Sequence, residues 1–130
     1  MKALLGAAVL GMTLLAGTAC GADAAKCEPA SKAMMDTIAK GSKADDFTIT
    51  SAMTLKSADH DGVYAVAAKT KNGSAAEKVG VWSTSNTSGE GAVYSVDKVA
   101  NETTSFGNAA QVDGSVKSGD AVVSDVKACL

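Results

Sequence analysis

The chain contains no arginine. All 12 basic residues of its 130 are lysines, set against 14 acidic residues for a net charge of −2. Bidentate recognition of carboxylate, phosphate or guanine favours the planar guanidinium fork, and the lysines are scattered along the chain. No nucleic-acid-binding face is therefore expected. The single histidine, His60, excludes any site that needs two imidazoles, including most histidine-based zinc sites. Proline and tryptophan also occur once each, as Pro29 and Trp82, and aromatic residues make up 4% of the chain. No serine sits in a Gly-x-Ser-x-Gly elbow, and no glycine-rich phosphate loop with a lysine follows a strand. We expect no cofactor and no bound metal.

The N-terminal residues carry the strongest signal. Lys2 precedes an uncharged run from Ala3 to Ala19. A short basic start, an apolar stretch and small residues at its end define a secretory signal. The run of about 17 residues is slightly short of the roughly 20 needed to span a bilayer. Leu15-Ala16-Gly17-Thr18-Ala19-Cys20-Gly21 resembles a bacterial lipobox, with Gly17 standing where a branched aliphatic residue is usual. The resemblance implies cleavage before Cys20, a diacylglycerol thioether on that cysteine and attachment to the outer face of a cell membrane. The competing readings are ordinary cleavage after Ala19, which would make the protein secreted, and a retained signal anchor.

Cysteine arithmetic bears on the choice. The chain has Cys20, Cys27 and Cys129, and a secreted protein with three cysteines has one left over. If Cys20 carries lipid, Cys27 and Cys129 remain as a pair. Their bond would close a loop of about 100 residues, worth up to about 4–5 kcal/mol by the chain-entropy argument. Neither lies in a Cys-x-x-Cys motif, so a structural disulfide is expected in preference to a redox pair. The expected organisation is a signal peptide over 1–19, a tether over 20–26 and one small domain over 27–130.

After residue 19, Leu, Ile, Val and Phe together number 18 of 111 residues, under the roughly 20% typical of ordered chains. The net charge stays low, at 11 lysines against 14 acids, so we expect a thin core of alanine and valine supplemented by a disulfide. Glu28-Pro29 is expected to open a helix, with apolar positions at Ala30, Ala33, Met34 and Ile38 and an end at Gly41. Alternation predicts a half-buried strand over Phe47–Leu55. Further strands are expected over Val63–Lys69, Lys78–Thr84 and Ala92–Val96, with a turn at Lys71–Ser74 and a flexible loop over Ser85–Gly91. Asp97 is expected to cap a short helix and Asp120 a final one, with Val122, Val126 and Cys129 on one face. Phe106–Gly119 reads as loop. The expected fold is α+β: an N-terminal helix, a four-stranded antiparallel meander and a C-terminal helix, with the helices on one face of the sheet.

Few residues point to chemistry. Ser57 to Gly62 resembles the start of a calcium loop, but Ala68 falls where a bidentate glutamate is required. A polar turn is the expected role, with His60 solvated on it. With Val79 and Val81 facing inward, Trp82 would lie on the outer face of the sheet, where an aromatic can anchor a partner; packing into the core is the alternative. Trp82 is thus the candidate binding surface. The Val79-Gly80-Val81-Trp82 strand, the Tyr94-Ser95-Val96-Asp97 stretch, the lipobox-like end and the near-terminal cysteine together resemble small actinobacterial lipoproteins and secreted proteins. That resemblance implies no activity. The expected function is a membrane-anchored binding or interaction module, not an enzyme, with an envelope protein or extracellular ligand as partner. The alternatives are a small secreted or envelope hydrolase or redox enzyme, and a structural lipoprotein of envelope assembly.

Overall fold

A computed structural model describes residues 26–130. The signal-like run, the lipobox-like residues and Cys20 lie outside the described residues, as does nearly all of the 20–26 tether. The elements in chain order are β1 (Glu28–Pro29), α1 (Lys32–Lys40), β2 (Phe47–Lys56), β3 (Tyr64–Asn72), β4 (Lys78–Thr84), β5 (Val93–Ser95), α2 (Lys98–Thr103), a 3-10 turn (Ala109–Gln111) and α3 (Ala121–Ala128). The five strands form one antiparallel sheet in sequence order. The α+β class is as expected, and the details differ in three ways.

First, the domain opens on a strand. Glu28 and Pro29 pair with Thr54 and Met53 instead of starting a helix. The helix begins at Lys32 because Ser31 caps it, its Oγ accepting from the Met34 N–H at 3.1 Å. Proline suits an edge strand, where its missing N–H faces no partner. The sheet therefore has five strands, not four.

Second, β2 does not keep one face inward. Its register shifts between Ile49 and Ser51. The extra residue flips the parity of the strand. Phe47 and Ile49 then share a face with Ala52, while Met53 and Leu55 pack on the opposite one.

Third, both faces of the sheet are covered. In β3, Ala65, Val66, Ala67 and Ala68 are all fully buried. A strand that is apolar at every position needs cover on both sides. Met34 and Ile38 of α1 and Ala100 of α2 pack with Val66, Ala68 and Trp82. Val122, Val123 and Val126 of α3, with Ala109 and Val116, pack with Ala65, Ala67 and Val81. The expectation of helices on one face fails for this reason, and the 106–119 segment is a packed cover, not only a connection.

Trp82 is the largest fully buried side chain. It sits opposite Val66 in the register, on the α1 and α2 side. The reading of Trp82 as an exposed binding surface is thus overturned: the face expected to be outer carries two helices. Gly80 makes room for the ring, since a Cβ there would stand 2.7 Å from Trp82 Cη2. The indole N–H donates to Thr104 Oγ1 at 3.0 Å, and that hydroxyl donates to the Ala100 carbonyl at 2.7 Å. Ser95 Oγ, 3.2 Å from Thr104 Oγ1, completes a buried polar chain. Every buried side-chain nitrogen and oxygen among the described residues has a partner, as a low-dielectric interior demands.

The expected cap at Asp97 is present. Its Oδ1 accepts from Ala100 N at 2.9 Å and also from Val81 N at 3.2 Å, so one carboxylate fixes α2 to β4. The Ser85–Gly91 loop is tied to α1: Thr37 Oγ1 donates to the Gly89 carbonyl at 2.8 Å, and Ser31 Oγ to the Thr87 carbonyl at 3.1 Å. Gly89 has φ +90°, and a Cβ would meet the Ala33 carbonyl oxygen at 2.7 Å, so only glycine lets the loop lie this close.

Replacing Thr104 with valine removes the acceptor of a buried indole N–H while keeping the shape. We expect Thr104→Val to lower the unfolding free energy by about 1–3 kcal/mol in urea denaturation, and Thr104→Ser to cost clearly less. Equal losses in the two variants would contradict a role for the hydroxyl.

Candidate functional site

The turn between β2 and β3 is built by its own hydrogen bonds. Ser57 Oγ accepts from the N–H groups of Asp59 and His60, at 3.2 and 3.1 Å, and the Val63 N–H donates to the His60 carbonyl. Gly62 supplies φ +71°, which closes the turn. This geometry aims His60 at α3. Its Nε2 lies 3.0 Å from Asp120 Oδ2, and both side chains are about three-quarters buried, with relative exposures of 23%. His60 is therefore paired, not solvated.

Asp120 holds the N-cap position of α3 but makes no side-chain cap bond. Its Oδ2 instead accepts from the Lys117 main-chain N–H at 2.9 Å. That hydrogen bond holds the Asp120 carboxyl below its ordinary value of 3.8; the His60 hydrogen bond and the His60 and Lys117 charges add to the effect, against opposing desolvation. The Lys117 ammonium in turn donates to the carbonyls of Ala109 (2.7 Å) and Val112, closing the 3-10 turn.

A cleft of about 210 Å³ lies beside this contact. Ala58 and Asp59 of the turn form one wall, and Ala121, Val122 and Asp125 of α3 form the other. Leu55, Lys56 and Lys26 complete it. The His60–Asp120 contact joins the two walls through the neighbours of Asp59 and Ala121.

Cys27 and Cys129 form a disulfide across 102 residues, with their Cα atoms 6.5 Å apart. It fastens the start of β1 to the end of α3, next to Lys26 and therefore next to the cleft. Of the residues singled out from sequence, the structure thus brings Cys27 and Cys129 together, buries Trp82 elsewhere, and leaves Cys20 outside the described residues. The sequence reading missed Asp120 as the partner of His60. The two are 60 residues apart, and Asp120 carried an ordinary capping signal, so no local pattern could reveal the pairing.

The arrangement can position charged groups around a small cleft. A hydrolytic dyad would need a nucleophile on the second imidazole nitrogen. Among the described residues no side-chain hydroxyl hydrogen-bonds to the His60 ring; Ser57 Oγ bonds only to main-chain N–H groups. No group of three or more histidine, cysteine, aspartate or glutamate side chains suited to a metal occurs among the described residues. No helix among them is long and apolar enough to cross a membrane.

Comparison with protein-family models, curated proteins and solved structures gives no match.

The lowered Asp120 pKa has a defined consequence for stability. A carboxyl held below its unfolded value stabilises the fold above that value, and the benefit fades as pH falls through the folded value. We expect the margin by which wild type exceeds Asp120→Asn in unfolding free energy to be larger at about pH 5 than at about pH 2.5, narrowing below 3.8. Urea unfolding of both proteins between pH 2.5 and 7, conditions set by these limits, measures it. A margin that does not change with pH would contradict the assigned role.

Proposed function

We propose that the chain is a small extracytoplasmic binding module, held to the outer face of a membrane by lipid on Cys20. The observation that supports it best is the Cys27–Cys129 disulfide. Such bonds persist in oxidising compartments, and the pairing leaves Cys20 as the one remaining cysteine, in a lipobox-like setting. Two acyl chains on that cysteine would give a stable anchor where one is only marginal. The module then stands on a tether of a few residues, with its cleft at the tethered end and Lys26 in the cleft lining.

The binding role rests on the cleft, a concave site lined by the buried Leu55 and Val122 together with two lysines and two aspartates. An enzymatic role is not part of the proposal, because the His60 imidazole has a carboxylate partner and, among the described residues, no hydroxyl nucleophile hydrogen-bonded to it. A purely structural role in envelope assembly would make no use of the cleft.

The intact mass of the protein extracted from its native membrane tests the anchor. We expect a chain beginning at Cys20 with diacylglycerol attached, gaining about 2 Da on reduction as two thiols replace one disulfide. A chain beginning at Gly21 or carrying no lipid would overturn the anchoring.

A further inference from the structure

We propose that the cleft binds a small zwitterion, a molecule carrying an ammonium and an anionic group a few ångströms apart. The inference rests on the binding-module reading and names the ligand class for that site. Two lysines (Lys26, Lys56) and two aspartates (Asp59, Asp125) line the same cleft, over a floor that includes Leu55 and Val122. Among the described residues none of these four side chains is in an ion pair. The ion pairs lie elsewhere, at Lys32–Asp36, His60–Asp120, Lys98–Glu102 and Lys127–Asp97. Opposite charges thus share one small depression without neutralising one another.

This charge arrangement selects among ligands. An anion alone gains from the lysines and is repelled by the aspartates. A cation alone meets the reverse. A molecule with both signs gains from both, provided its charges are separated as the rim groups are. The volume, about 210 Å³, equals roughly seven water molecules at about 30 Å³ each. It lies below the roughly 300 Å³ at which pockets for drug-sized ligands begin. The ligand is therefore amino-acid-sized, with a short alkyl portion to lie against the floor. The His60–Asp120 contact fixes the spacing of the walls before binding, which lowers the ordering cost.

Two sources supply this chemistry. With lipid on Cys20, Lys26 lies six residues from the anchor, within about 20 Å of the bilayer surface. The ligand is then either an ethanolamine-phosphate headgroup of the membrane or a free solute of the same class.

The test uses the isotope-labelled full chain in a non-ionic detergent, followed by the amide signals of Ala58, Asp59, Ala121 and Val122. Glycerophosphoethanolamine is the zwitterionic probe; ethanolamine and the diester monoanion dimethyl phosphate are its single-charge halves. We expect saturable shifts at those four amides, with the zwitterion binding about fivefold more tightly than either half, the margin one additional exposed ion pair supplies. Replacing all four (Lys26→Gln, Lys56→Gln, Asp59→Asn and Asp125→Asn) should abolish that preference while leaving the remaining amide spectrum in place. Equal binding of zwitterion and halves, or no saturable shift at these amides, overturns the proposal. Repeating the titration in phosphatidylethanolamine and in phosphatidylglycerol nanodiscs separates the sources. Competition only in the former supports a lipid headgroup, and identical titrations support a free solute. Lipid on Cys20 with silent cleft amides rejects the ligand class and keeps the anchor; the reverse result rejects the anchor and keeps the ligand class.

Discussion

Small side chains in the centre of the sheet set the terms for the whole domain. Ala65, Ala67 and Ala68 of β3, with Gly80 of β4, offer little apolar area per residue. A sheet of this kind gains enough burial only if both faces are covered, since each buried methylene contributes about 0.8 kcal/mol. The chain meets this by sending α1 and α2, with Phe106, to one face and Ala109, Val116 and α3 to the other. Trp82, the largest fully buried side chain, packs on the first face over Gly80, and its N–H requires the Thr104 hydroxyl. Alanine and glycine let the layers approach closely, but the resulting core is thin. The disulfide between Cys27 and Cys129 supplements it by joining the first strand to the last helix.

Local signals in the sequence specify much of this. Strand β4 runs over Lys78–Thr84, matching the alternation of its residues with the turns on either side. The Asp97 cap of α2 follows from the competition between an aspartate side chain and the backbone. Met34 and Ile38 are buried, as their i, i+4 spacing implies. Parity was the weak point. Assigning one inward face to the sheet places Trp82 outside, whereas the unbroken Ala65–Ala68 run was the available signal that both faces are buried. The β2 bulge, which moves Phe47 and Leu55 to opposite faces, leaves no mark in composition.

The cleft was illegible for a different reason. Its walls come from residues near 58 and near 122, brought together only by the final packing of α3. His60 read alone is a turn residue and Asp120 read alone is a cap. Their contact diverts the aspartate from its helix and turns two unremarkable positions into a brace between the cleft walls. The same end of the domain carries the disulfide and Lys26, where the proposed tether ends, so stability and the proposed anchoring and recognition meet in one region. The proposed lipid on Cys20 places that region closest to the membrane.

The dependence of a thin, two-sided core on its covalent closure is most directly measured by urea unfolding of the Cys27→Ser/Cys129→Ser double variant against the oxidised wild type. A loop of about 100 residues predicts a loss of about 4–5 kcal/mol, with the native amide spectrum retained in whatever fraction stays folded. An unfolding free energy equal to that of the wild type would contradict the account and assign the stability of the domain to the packed layers alone.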